Sequence, residues 1–348
     1  MPPELSTIHP AISFLLDKRV LFFVGKGGVG KTTVAASVAL AFARQGKKIL
    51  FIEFDENTRA SRLLGPTLKT SPQQEPQLVS PSLFVLSTSG ALALEEYLRL
   101  IIPVSPLWRA IVESRAYQYF VAAAPGLKEL LTMGKVWYEE RKKETHTQQL
   151  VWDMLIIDLP ATGHSLQYLR MPHAAHATFG GIVGHEAERI LALLRNTQKT
   201  AINLVTTTDE LAVSETLEAH RQIVLDLQLP LGTLFINRMH SALPSSLDLS
   251  RIEISSRAST NERQVAEQIL KYGRHEEAFA SAQVERLQAL SGLPLPAFHL
   301  PFCDTEEFDV STLQRLSYVI SPESRIEKSR QNRAEQPRRG KKTATQRA

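Results

Sequence analysis

The feature that most constrains this chain is the run Gly25, Lys26, Gly27, Gly28, Val29, Gly30, Lys31, Thr32, Thr33, set directly behind the apolar segment Val20 to Val24. It matches the pattern G-x-x-x-x-G-K-[ST], and a helical pattern from Lys31 to Arg44 follows it. A strand that turns through glycines into a helix aims backbone amides and a helix N-terminus at one spot, which suits a phosphate group. The whole run Gly25 to Thr33 is therefore the expected nucleotide cradle. Lys31 is placed to reach the β- and γ-phosphates, and Thr32 is the expected direct Mg²⁺ ligand.

The rest of the chain alternates short β-rich apolar runs with longer helical patterns, as a parallel sheet with helices on both faces requires. Strands are expected at Val20 to Val24, Lys48 to Phe54, Leu83 to Ser87, Met154 to Asp158, Thr200 to Thr206, Gly232 to Asn237 and Ala297 to Leu300. Helices are expected at Lys31 to Arg44, Ala91 to Ile101, Leu107 to Lys143, Glu186 to Leu194, Asp209 to Leu227 and Asn261 to Leu290. This is an α/β fold with a mostly parallel sheet, the arrangement of a P-loop NTPase. The third and fourth strands lie more than sixty residues apart, so residues 91–149 are expected to form a helical insertion on a domain spanning 1–320.

Charge matters here because of where it falls. The chain of 348 residues has a net charge of +4, with 40 Lys and Arg against 36 Asp and Glu. Residues 321–348 alone carry +6, which leaves the other 320 at −2. That tail has almost no apolar residues and is expected to be disordered. Any DNA or anionic membrane would meet the protein there. One cysteine, Cys303, excludes an internal disulfide framework and a cysteine-based metal cluster. Met1 to Pro10 shows no signal-peptide pattern, and no apolar run approaches the ~20 residues of a membrane span, so a cytoplasmic location is expected.

At the end of the fourth strand, Asp158 is placed to hold a Mg²⁺-bound water. The Pro and Gly of Leu159, Pro160, Ala161, Thr162, Gly163, His164, Ser165, Leu166 suit a mobile loop that senses a γ-phosphate. On residue type alone, His164 would more often be a loop or packing residue than a catalytic one.

Lys26, just after the first glycine, makes the cradle resemble the deviant phosphate loop K-G-G-x-G-K-[ST] of a class of dimeric NTPases. That class includes nitrogenase iron protein, the partition and division-site ATPases, and the arsenite-pump and tail-anchored-protein-targeting ATPases. The resemblance implies that Lys26 crosses a dimer interface to the partner's nucleotide and supplies charge as an arginine finger does. A lysine pointing into solvent is the plainer alternative. The run from Asp158 to Leu166, with Arg170 and Pro172 beyond, resembles the switch II of the arsenite-pump and targeting family, D-x-x-P-T-G-H-T-L-R, and so implies a switch role for Asp158, Thr162, Gly163 and His164. Partition and division-site ATPases usually stop at D-x-P-x-G.

The resemblance covers roughly residues 15–320 and carries further implications. Asp55 falls on the family's water-polarising aspartate in T-D-P-A-H-N-L-S-D, although Glu56, Asn57 and Thr58 replace Pro-Ala-His. Glu53 and a helix-capping role for Asp55 stay open beside that assignment. Asn237 resembles the family's adenine-reading asparagine, and Pro301 with Phe302 would flank the base. Two departures bear on function. One cysteine cannot build the thiolate cluster that binds metalloid, and the C-x-x-C of the zinc-bridged targeting factors is missing. The apolar stripe Leu127, Leu130, Leu131, Gly134, Trp137 and Tyr138 would suit a client groove or, equally, the domain's own core. The short stretch from Pro172 to Lys199 argues against a full groove.

The expectation is an ATP-hydrolysing dimeric switch using ATP and Mg²⁺, homodimeric or paired with a paralogue, handling a protein client rather than arsenite. A positioning ATPase that binds DNA or membrane through its tail, and a non-hydrolysing scaffold, are the alternatives.

Overall fold

The computed structural model describes residues 8–54, 59–65, 67–69, 71–101, 114–115, 126–178, 180–240, 259–305 and 308–322. Asp55, much of the insertion and the basic tail from residue 323 lie outside the described residues.

The chain opens with a helical turn, α1 (Pro10–Ser13), and then β1 (Val20–Val24) and α2 (Lys31–Arg44). Next come β2 (Ile49–Phe54), α3 (Arg59–Leu64), β3 (Gln77–Ser80), β4 (Leu83–Thr88) and α4 (Gly90–Ile101). After the insertion's last helix, α5 (Leu127–Arg141), follow β5 (Met154–Asp158), α6 (Thr162–Thr178), α7 (Gly181–Arg195), β6 (Thr200–Thr206) and α8 (Glu210–Arg221). The chain closes with β7 (Leu231–Met239), α9 (Thr260–Ser291), β8 (Ala297–Pro301) and α10 (Val310–Ile320). The eight strands form one sheet in the order β3-β4-β2-β5-β1-β6-β7-β8. Every pairing is parallel except that of β3 with β4.

The sheet is buried on both faces, which is why its central strands read as unbroken apolar runs instead of alternating ones. Alternate residues of the central strands feed two cores. Phe22, Ile52, Leu155, Ile157 and Leu204 face α5 to α8, while Leu21, Phe23, Phe51, Ile156 and Phe235 face α2 and α10. The insertion's α5 is pinned to the strands' N-terminal edge by ions. Arg19 donates to Glu140 Oε1 (3.3 Å) and to the Glu140 and Trp152 carbonyls (2.8 and 2.9 Å), and Lys199 Nζ reaches the same carboxylate at 2.9 Å. Next to it, Glu139 is buried and accepts from the Trp152 indole at 2.9 Å.

Several elements depart from the expectations, among them α3 and α10, which the sequence did not announce, and α7, which begins at Gly181 rather than Glu186. The edge strand β3 is short and half-exposed, and it runs antiparallel. The expected helix to Lys143 ends at Arg141, because Lys142 turns extended and Lys143 bridges Leu150. The segment expected as a mobile loop at Thr162 to His164 is the first turn of α6, with the His164 and Ser165 amides donating to the Ala161 carbonyl at 2.9 and 3.0 Å. That helix runs on through Pro172. Finally, Ser321, expected to begin the tail, is buried, and its hydroxyl accepts from Gln45 Nε2 at 2.8 Å.

The apolar stripe on α5 packs inward at Leu130 and Trp137, while Leu127, Leu131 and Gly134 are half-buried. Leu130 joins Met133 and Val136 in the core and Trp137 lies against it, while Tyr138 stays exposed beneath the Lys135 ammonium. Among the described residues no helix is long and apolar enough to cross a membrane.

Candidate nucleotide site

Residues at the C-terminal ends of β1, β2, β5 and β7 build the site, at the edge where open α/β sheets take ligands. Gly25 leaves β1 so close to β6 that a Cβ would land on the Val205 carbonyl oxygen. Gly30 has φ +88° and caps α2, and a Cβ there would collide with Asn237 Nδ2. Only glycine fits either position. Between them the loop passes the switch segment, since a Cβ on Gly27 would sit 3.6 Å from that of Ala161. Val29 is buried beneath the loop. Thr33 lies in the first turn of α2, where its carbonyl accepts from Ser37 Oγ at 2.8 Å.

Lys31 is buried and folds back so that Nζ donates to the Lys26 carbonyl at 3.2 Å. Burial lowers its pKa, with Asp158 pulling the other way and Arg59 adding to the depression. Thr32 Oγ1 donates to Asp158 Oδ2 at 2.5 Å, across 126 residues of sequence. Although part of Asp158 reaches the surface, its Oδ1 is buried and has no hydrogen-bond partner among the described residues. Burial pushes the Asp158 carboxyl up to about 6, more than the Thr32 hydrogen bond and the Lys31 charge pull it down. A hydroxyl and an under-satisfied carboxylate side by side at a phosphate loop fit Mg²⁺, which takes few protein ligands and completes its shell with phosphate oxygens and water. Thr32 would bind the ion directly and Asp158 through water, and the ion would neutralise charge on the β- and γ-phosphates.

Other expected residues are placed as follows. Lys26 Nζ lies 3.6 Å from Glu215 Oε1 on α8, so it is paired within its own chain. Asn237 is buried, and Nδ2 donates to the Val29 carbonyl at 2.9 Å, bracing the loop from two strands away. Gly163 and His164 are exposed on α6, as the first turn of a helix rather than a loop, and Thr162 begins that turn. Pro301 is exposed at the end of β8, three strands from β1. Phe302 stacks on His240 with ring centroids 4.5 Å apart.

Glu53 has a role that its sequence position hid. It is buried at the end of β2, accepting from Ser61 Oγ and Ser87 Oγ at 2.5 Å each and from the Ala60 amide at 2.8 Å. A carboxylate so fully engaged is a tether for α3 and is not disposed to activate water. The one clue in the sequence was an acid inside an otherwise apolar strand.

Residues 18–187 match the Anion-transporting ATPase family. The chain is 32% identical over 246 residues to "ATPase BagA" of Mycobacterium tuberculosis, covering 69% of this chain and 70% of that protein. The chain belongs to the ArsA-like ATPase family. Its similarity reaches a "Putative arsenical pump-driving ATPase 2" of Aquifex aeolicus, at 29% identity over 44% of this chain and 48% of the other. It also reaches an "ATPase ASNA1 homolog 1" of Paramecium tetraurelia, at 24% identity over 48% of each. The ArsA-like match begins just before β1 and ends within α7, so it takes in the phosphate loop, Glu53 and Asp158.

Proposed function

We propose that this chain hydrolyses Mg²⁺ATP as a nucleotide-bridged dimer, homomeric or with a paralogue, and uses the cycle to move a protein client in the cytoplasm. The observation that carries the reading is the convergence of Lys31, Thr32 and Asp158 beneath the glycine loop. On binding, the triphosphate takes the place of the Lys26 carbonyl at the Lys31 ammonium. Thr32 and Asp158, now hydrogen-bonded to each other, would hold the Mg²⁺, Thr32 directly and Asp158 through water, and the ion would supply charge neutralisation there.

Closure of the dimer then moves Lys26 to the partner's nucleotide. Its pairing with Glu215 is partly exposed, with 26% and 37% of the two side chains accessible, and such a contact is worth no more than about 1 kcal/mol. A triphosphate outcompetes it easily. Asp55 orients the attacking water, and Gly163 and His164, at the start of α6, carry loss of the γ-phosphate into the helix. Asn237 reads the base with what its brace to Val29 leaves available, and Pro301 with Phe302 flanks it. A single cysteine gives no thiolate cluster for metalloid, which favours a protein client over arsenite.

Trapping tests this reading. Asp55→Asn with ATP should keep nucleotide, lose hydrolysis and sediment at twice the monomer mass. A variant that hydrolyses ATP at the parental rate removes Asp55 from the water-activating role, and a monomer under saturating ATP removes the dimer. Mass spectrometry of what copurifies with the trapped variant from native cells would name the client.

A further inference from the structure

Arg59, at this edge of the sheet, is a strongly basic residue to which the ATPase reading gives no task. It opens α3, one residue before the amide that Glu53 Oε2 holds at 2.8 Å. Glu53 stands opposite Asp158 in the pairing of β2 with β5, and neighbouring strands lie about 4.8 Å apart. The backbone of Arg59 is thus anchored one strand beyond Asp158.

The strand order decides what lies there. Across the site it runs β1, β5, β2, so the phosphate loop, Asp158 and Arg59 follow one another along the edge. The loop holds the inner phosphates, Thr32 and Asp158 mark the ion between β and γ, and the end of the triphosphate that passes Asp158 toward β2 is the γ-phosphate.

The Arg59 side chain is exposed, and among the described residues it makes no hydrogen bond or ion pair. Among the described residues, the carboxylate that tethers the start of its helix, Glu53, is fully engaged with Ala60, Ser61 and Ser87. Two cations facing the same spot repel each other in the free protein, and an incoming polyanion turns that repulsion into attraction for both. Arginine also differs from lysine in offering a planar fork that matches two phosphate oxygens at once.

We propose that Arg59 contacts the γ-phosphate of bound ATP from within the same chain, complementing the charge that Lys26 brings from the partner. This rests on the ATPase reading above. In hydrolysis a water oxygen forms the new bond to the γ-phosphorus as the bond to the β–γ bridging oxygen breaks. ADP leaves with that oxygen, and the water's proton ends on inorganic phosphate. Arg59 transfers no proton; it neutralises charge on the γ-oxygens, and because ADP lacks them it discriminates ATP from ADP.

The test compares the full chain with Arg59→Ala and Arg59→Lys, measuring Mg²⁺ADP affinity, affinity for a non-hydrolysable ATP analogue, and single-turnover phosphate release. Arg59→Ala should weaken the analogue at least tenfold, leave ADP within twofold, and slow release by roughly tenfold to hundredfold. Arg59→Lys should recover part of both losses. Equal analogue-to-ADP preference and an unchanged rate in Arg59→Ala overturn the assignment, as does an equal loss of both nucleotides, the mark of a purely structural role. A parental chain that neither binds the analogue nor releases phosphate overturns the ATPase reading itself, and Arg59's role with it. Unfolding curves for both variants guard against misfolding, and a misfolded Arg59→Ala leaves the lysine variant to decide by the same ratio.

Discussion

Asp158→Asn should make the protein more stable and less functional at once. Burial raises the Asp158 carboxyl from an ordinary 3.8 to about 6. Each pH unit between the two is about 1.4 kcal/mol, so at neutral pH the ionised group costs the metal-free fold about 3 kcal/mol. The direction follows from proton uptake. Between pH 4 and 6 the folded state binds the proton more tightly than the unfolded chain, so this contribution to stability is greatest below about pH 4 and is lost as pH rises through 6. Asparagine keeps the shape and an acceptor for the Thr32 hydroxyl, now 2.5 Å from Oδ2, without the charge. The variant should therefore gain about 2–3 kcal/mol in urea unfolding at pH 7.5, and that gain should shrink toward zero at pH 4. Comparing the two proteins at each pH cancels the titration of all other groups. Mg²⁺ATP at 1,000 times its Kd should reverse the order, because it adds about 4.1 kcal/mol to the parent alone. A variant less stable than the parent at pH 7.5, or a gain that persists at pH 4, would refute the argument from burial. An undiminished Mg²⁺-dependent shift in the variant would refute the metal assignment.

Three further outcomes follow from the same geometry. Lys31→Ala should lower Mg²⁺ATP affinity more than tenfold by calorimetry, because the one buried ammonium of the loop is removed. Glu53→Gln leaves an acceptor for either the Ala60 amide or the two serine hydroxyls but not both, and should cost about 1–3 kcal/mol in urea unfolding. Glu140→Ala removes the carboxylate that Arg19 and Lys199 share, but Arg19 keeps its backbone carbonyls and Lys199 is 44% exposed, so it should cost about 1–2 kcal/mol, with no change in nucleotide affinity because that edge lies opposite the site.

Much of this molecule was legible in its sequence where the physics is local. The strands at Val20–Val24, Met154–Asp158 and Thr200–Thr206 and the helix Lys31–Arg44 stand at the expected bounds, because apolar runs and glycine punctuation leave little choice. The glycine turn between β1 and α2 and the meeting of Thr32 with Asp158 were readable for a similar reason: motif spacing fixes which strand end carries which residue. What stayed hidden depends on partners distant in the chain. The start of helix α6 looked like a loop because Pro160 and Gly163 punctuate it, yet packing of Leu166, Tyr168 and Leu169 into the core holds it helical. The β3 edge strand has too little apolar content to show a pattern. Glu53 read as a candidate base because nothing in the sequence says that Ser61 and Ser87 will meet it. The pairing of Lys26 with Glu215 likewise joins residues 189 positions apart, which only the folded chain reveals.

The central claim is that the loop around Lys31 binds Mg²⁺ATP and that the chain cleaves it. Single-turnover release of inorganic phosphate by the full chain, with enzyme in excess over Mg²⁺ATP, tests it most directly. Release that requires Mg²⁺ and disappears in Lys31→Ala is the predicted result. Bound ATP that stays intact in the parental protein, or release that survives Lys31→Ala, would contradict it.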